Sequence, residues 1–168
     1  MDIATQYKKM AATGLHFRGL SIVQHADDIG QLITETGSKT LLDWGSGAGD
    51  QYRPPHDLHK RWGVARPALY DPAFGKLAVK PRGVFHGVLS TDVLEHVNET
   101  RVDAFIDNLF AHAERFVFAS VCSRPAGKTF SNGRNLHITL HPYEWWLEKF
   151  EAAGAAHPGV RWKLMETL

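Results

Sequence analysis

Thr40-Leu41-Leu42-Asp43-Trp44-Gly45-Ser46-Gly47-Ala48-Gly49-Asp50 is the stretch around which the rest of the chain is read. A short apolar run ends in an acid and passes straight into a glycine-rich turn. The run, about residues 40 to 44, has the length and bounding turn residues of a buried parallel strand. Glycine at every second position lets the backbone turn sharply, and lets another group approach with no Cβ in the way.

Working outward from that turn, strand and helix signals alternate. Upstream, Ile22, Ala26, Ile29 and Ile33 recur at four, three and four residues, one face of a helix, with Gly37 as its stop. Downstream, Pro54-Pro55 forbids a long helix directly after the turn. A short helical piece over about 56 to 62 ends at Gly63. Ala68-Leu69-Tyr70 reads as a second strand, and Asp71 before Pro72 is held extended at its tip. Only about a dozen residues separate it from the next strand, Phe85 to Thr91. Asn98 caps a helix whose apolar residues run from Val102 through Phe105, Ile106, Leu109 and Phe110 to Ala113. Phe116 to Val121 is a continuous apolar strand, and Arg124 to Arg134 a loop. Pro142 opens a helix through Trp145, Trp146 and Phe150 to Gly154, and Val160 to Leu164 is a last strand. Strands alternating with helices predict an α/β fold in which helices cover both faces of a mostly parallel sheet.

Two motifs on this pattern carry a resemblance. Asp43-x-Gly45-x-Gly47-x-Gly49 is similar to motif I of class I S-adenosylmethionine (SAM) dependent methyltransferases. The rival dinucleotide pattern G-x-G-x-x-G fails, because its third glycine would fall on Asp50 or on Tyr52. Thr91-Asp92-Val93-Leu94-Glu95-His96-Val97 then resembles the Asp-Val-Leu-Glu-His segment of small-molecule members of that family, the methyltransferase-type-11-like group. The resemblance runs from about residue 38 to 154. It implies a three-layer, Rossmann-like sheet, with 1–37 as an N-terminal lid and helix region and 38–168 as the cofactor-binding core of one domain. The short 72–84 segment implies that part of the family's third-strand region is missing, with most of the helix, edge strand and adenine-contacting acidic loop that the family fits there.

The same resemblance implies a site. Asp43, Gly45 and Gly47 take the methionine end of SAM, and Asp71, followed by Pro72, takes the two ribose hydroxyls. Thr91 and Asp92 line the third strand tip. A side chain at Gly47 is then expected to block the ligand while leaving the fold intact. His137 and His141 fall where the family faces the methyl acceptor, and either can serve as a general base, histidine being the side chain suited to that near neutrality. His141, directly before Pro142, also reads as a structural residue at a helix cap. Asp92, Glu95 and His96 at i, i+3 and i+4 share one face if a helical turn forms there. With His137 they make an alternative set for magnesium, as in some relatives. Against it stands plain helix-start hydrogen bonding by the two acids.

Composition bounds the rest. The chain has 168 residues, formal net charge +1, 43% apolar and 22% charged residues, which fits one globular domain and gives no field aimed at nucleic acid. Cys122 is the single cysteine, so no internal disulfide is expected. Met1 to Gln6 lacks the basic-then-apolar pattern of a signal peptide, and no apolar run approaches the ~18 residues of a membrane span. A cytoplasmic SAM-dependent methyltransferase acting on an O or N acceptor, small molecule or glycan, is the expectation. Another SAM-using enzyme on the same fold, or a non-catalytic SAM-binding subunit, are the alternatives; oligomeric state is left open.

Overall fold

The computed structural model describes residues 7–9 and 17–167. The expected N-terminal lid therefore lies partly outside the described residues. Among the described residues, five strands form one sheet: β1 (Leu41–Trp44), β2 (Ala68–Tyr70), β3 (Phe85–Thr91), β4 (Ala113–Val121) and β5 (Arg161–Glu166). Four α-helices lie wholly within the described residues: α1 (Ala26–Thr36), α2 (Leu58–Arg61), α3 (Val102–Ala111) and α4 (Tyr143–Ala156). Strand order is β2-β1-β3-β4-β5, and every pairing is parallel. The architecture is thus α/β with an all-parallel sheet.

Side-chain alternation along the strands sorts the core into two layers. Leu42, Trp44, Val88, Val117 and Ala119 face α3 and α4, where Ile106, Phe110, Trp146 and Phe150 close the packing. Leu41, Leu89, Phe116 and Phe118 face the other way, onto Ile22, Ile29 and Ile33 of the α1 region and Leu58 of α2. Each helix sits where its apolar stripe finds a strand face to bury against. Gly37, at φ 62°, ends α1 in the left-handed conformation and donates to the carbonyls of Ile33 and Thr34.

Three helix boundaries differ from expectation. α3 stops at Ala111, and Ala113 begins β4 by pairing with Phe85, so the sheet claims a residue that the helical period had also claimed. Pro142 caps α4 rather than opening it. Gly154 lies inside α4 rather than at its end, and Trp162 packs where its Cβ would be. The short 72–84 segment holds only a 3-10 turn, Gly75–Leu77, and no strand, as its length required.

The chain leaves β1 toward β2 on one side, then returns past β1 to β3 on the other. That reversal makes the β1/β3 carboxyl edge the place where an open α/β sheet forms a crevice.

Candidate functional site

Two corners of the carboxyl edge hold the predicted residues. In the first, β1 runs into the glycine turn. Gly45 donates to the Tyr70 carbonyl at 2.7 Å, and Gly47 N–H donates to Asp71 Oδ2 at 2.9 Å. Asp71 Oδ1 accepts the N–H of Ala73 at 2.8 Å, so the acid stitches the β1 turn to the β2 tip. Burial pushes the Asp71 carboxyl above its ordinary pKa. Asp43 is 2% exposed, and its Oδ2 accepts from Gln51 Nε2 at 2.8 Å and Tyr52 OH at 2.9 Å. Burial, which outweighs those two bonds, raises it to about 6. Pro72 is exposed beside Asp71, and Thr91 is buried with its hydroxyl 3.3 Å from Ser21 Oγ.

The three glycines all adopt positive φ, 88°, 56° and 77° at Gly45, Gly47 and Gly49. A Cβ on Gly45 would run into Val93, and one on Gly49 would lie 2.6 Å from Leu69. One on Gly47 would run into the Phe17 carbonyl oxygen and lie 2.8 Å from the Gly19 nitrogen. Residues 17–19 dock directly on this loop: Ala48 N–H donates to the Phe17 carbonyl at 2.8 Å and Asp50 N–H to that of Arg18 at 3.2 Å. The expectation that a side chain at Gly47 would leave the fold intact is therefore corrected. The space it needs belongs to the chain's own backbone.

The second corner lies at the tips of β3 and β4. The helical turn expected to align Asp92, Glu95 and His96 does not form. Asp92 takes φ 53°, and only Leu94–His96 make a 3-10 turn. Asp92 Oδ1 instead accepts from Ser120 Oγ at 2.8 Å and Thr167 Oγ1 at 2.6 Å, tying β3 to the ends of β4 and β5. His96 is held through Nδ1, 2.9 Å from the Leu136 carbonyl and 2.5 Å from Tyr7 OH. Burial lowers its pKa to about 4, so the ring is neutral near pH 7.

Glu95 is fully buried. Its Oε1 accepts the Cys122 N–H at 3.2 Å, whereas Oε2 has no hydrogen-bond partner among the described residues. Burial and the nearby Asp92 raise this carboxyl to about 8. His137 Nδ1 lies 2.5 Å from the Arg124 carbonyl, which fixes the proton on Nδ1 and leaves Nε2 as the free basic nitrogen. One ligand atom each from Glu95, Cys122 and His137 come within 4.8 Å of one another. A cavity of about 520 Å³ opens here, lined by Phe17, Cys122, Arg124, Lys128 and His137 among others. Asn135 shapes the loop above it through paired amide bonds to Ala126, 2.9 Å each, and a third to His137 N–H.

Of the four residues in the alternative metal set, the fold thus gathers Glu95 and His137, and Cys122 replaces Asp92 and His96. Cys122 stands immediately after the last residue of β4, a strand-tip position visible in the sequence, where it was read only for redox compartment. His141 stacks on Trp145 with ring centroids 3.9 Å apart and lies 3.1 Å from Glu99 Oε2. That placement suits the structural role at the helix cap. Trp146 is fully buried in the core, and Trp145 carries Lys149 over its ring at 4.4 Å. Among the described residues no helix is long and apolar enough to cross a membrane.

Comparison of the chain with protein-family models, with curated proteins and with solved structures found no match.

Proposed function

We propose that the chain is a compact, Rossmann-like SAM-dependent methyltransferase, with the cofactor at the tips of β1, β2 and β3. The observation that carries this reading is the pairing of Asp43 and Asp71 with a glycine turn at the reversal of strand order. Each oxygen of Asp71 accepts one backbone N–H and keeps further acceptor capacity, which fits two adjacent hydroxyls. Asp43 spends Oδ2 on Gln51 and Tyr52, so it holds the loop and acts on a ligand's amino end through its charge. The glycines are already required by the chain's own packing, and they add less support than their spacing suggested.

SAM supplies an activated methyl group when bound. The protein's part is to position an acceptor and exclude water. The cavity beside Arg124, Lys128 and His137 suits a small O or N acceptor, with the free Nε2 of His137 as the group that meets it. Residues 17–19, docked on the glycine loop, form one wall. A non-catalytic SAM-binding subunit is the second reading, favoured by the close seat of Phe17 on Gly47.

Calorimetry with SAM and S-adenosylhomocysteine tests the site. Saturable binding of either is expected, weakened roughly 10- to 100-fold in Asp71→Ala by loss of charge-assisted hydrogen bonds. Absence of binding at millimolar ligand, or a preference for a nicotinamide dinucleotide, overturns the reading. Release of S-adenosylhomocysteine with a methylated acceptor separates methyl transfer from the two alternatives.

A further inference from the structure

We infer that Glu95, Cys122 and His137 form a binding site for one divalent transition-metal ion, with zinc the best match to the donor set. Four observations converge on it. First, a carboxylate oxygen, a thiol sulfur and an imidazole nitrogen, one from each residue, lie within 4.8 Å of one another. Zinc bonds of about 2.0–2.3 Å put tetrahedral ligand atoms roughly 3.3–3.7 Å apart, so small side-chain rotations close the three onto an ion. Second, Glu95 is 0% exposed and its Oε2 is buried with no partner among the described residues. A buried polar atom left unsatisfied costs stability, and a cation at this point satisfies it.

Third, His137 is prepared as a ligand. Its Nδ1–H donates to the Arg124 carbonyl, a contact that fixes the tautomer and leaves Nε2 as the nitrogen with a lone pair for a metal. Cys122 Sγ lies 3.7 Å from the same carbonyl, so the loop's turn at Arg124 orients two of the three donors. Fourth, the backbone and one carboxylate oxygen of Glu95 are anchored. Glu95 is pinned by Cys122 N–H at Oε1, and its own carbonyl accepts from Ile138 and Thr139.

The donor set chooses the ion. Oxygen-only sites suit magnesium, whereas thiolate with imidazole and one carboxylate suits zinc, and cobalt as its spectroscopic substitute. Binding displaces the thiol proton of Cys122 and any proton on Glu95 to solvent. Three protein ligands leave a fourth position for water or an incoming oxygen, and Cys122 and His137 also line the 520 Å³ cavity. In this state His137 is a ligand and not a base, because both roles use Nε2. The site requires neither SAM nor the β1 turn, so its failure and the failure of the methyltransferase reading are separate results.

The test is a titration of the metal-depleted full chain with zinc against a chromophoric chelator, and with cobalt in parallel. One zinc per chain and a thiolate-to-cobalt charge-transfer band are expected. Glu95→Gln, which keeps the side-chain shape, and Cys122→Ser are each expected to weaken zinc by about 100-fold or more, with the circular dichroism spectrum unchanged. Should Cys122→Ser fail to fold, the cobalt band of the unaltered chain decides thiolate ligation by itself. No zinc uptake overturns the inference. So does an adventitious ion only, seen as equal uptake by Glu95→Gln and the unaltered chain, or a cobalt spectrum without the thiolate band.

Discussion

At the tips of β1 and β2, Asp43 and Asp71 spend their oxygens on the chain itself: Gln51 and Tyr52 for one, the Gly47 and Ala73 amides for the other. At the tips of β3 and β4, another buried carboxyl, Glu95, leaves an oxygen unpaired beside a thiol, an imidazole and a cavity. The first corner carries the glycine motif, and both its carboxylates accept from the chain, although Gln51 Oε1 there also lacks a partner among the described residues. The second carries the Asp92-Val93-Leu94-Glu95-His96 segment, but Cys122 and His137 lie outside it, and Glu95 Oε2 beside them has no partner among the described residues. A glycine-rich turn and a reactive cluster are therefore different kinds of signal. One reports what the backbone must do, and the other reports what the side chains lack.

The largest expected effect tests whether the first corner is structural. Gly47→Val places a β-branched side chain at φ 56° and drives its Cβ into the backbone of residues 17–19. Neither the conformation nor the contact relaxes without moving that segment off the loop. A loss of more than about 4 kcal/mol, or failure to yield folded protein, is expected. Urea denaturation measures it. A change under about 1 kcal/mol means that residues 17–19 do not dock on the turn, and that the backbone of the first corner is as free as that of the second.

How much could be read in the sequence follows the same division. The strands of Leu41, Ala68, Phe85 and Phe116 and the helices of Ile29 and Ile106 were legible because apolar spacing and the burial that causes it are the same fact. That residues 72–84 hold no strand was legible from the length of the segment alone. Ala113 was ambiguous, since it satisfies helical period and strand burial equally, and only pairing with Phe85 decides it. The turn at Asp92 was not legible. Its positive φ depends on Ser120 and Thr167, which lie far along the chain. For the same reason Cys122 could not be joined to Glu95 and His137: the register of β3 on β4 and the fold-back of the 124–136 loop bring them together, and neither is a local property.

A smaller effect distinguishes the first corner by pH. The Asp43 carboxyl titrates at about 6 in the folded chain, against 3.8 ordinarily. Between those values the folded state keeps a proton that the unfolded state has released. Stability therefore rises as pH falls from about 6 toward 4, and is lost as pH climbs back through 6. The contribution is about 3 kcal/mol at most. Asp43→Asn removes the titration, and its Oδ1 still accepts from Gln51 and Tyr52. Subtracting the variant's stability curve from that of the unaltered chain isolates this residue from the buried His96, whose lowered pKa acts in the opposite direction. The difference is expected to favour the variant above pH 6 and to vanish near pH 4. A difference independent of pH means that Asp43 is not strained by burial.

The smallest effect belongs to the second corner and completes the contrast. Gly127 sits in the loop lining the cavity, has φ outside the left-handed region, and would place a Cβ with nothing within 4 Å. Its glycine serves no packing need, unlike Gly47. Alanine there removes only backbone freedom from the unfolded chain. Gly127→Ala is thus expected to be neutral or to stabilise by about 0.4–1 kcal/mol, readable as a small rise in Tm. The same variant narrows the cavity mouth by one methyl group without touching Glu95, Cys122 or His137, so zinc affinity is expected to stay within about threefold while any acceptor filling the mouth binds more weakly. Destabilisation by more than about 1 kcal/mol shows that this loop is constrained as tightly as the glycine turn. The difference between the corners then lies in their unpaired side chains alone and not in their backbones.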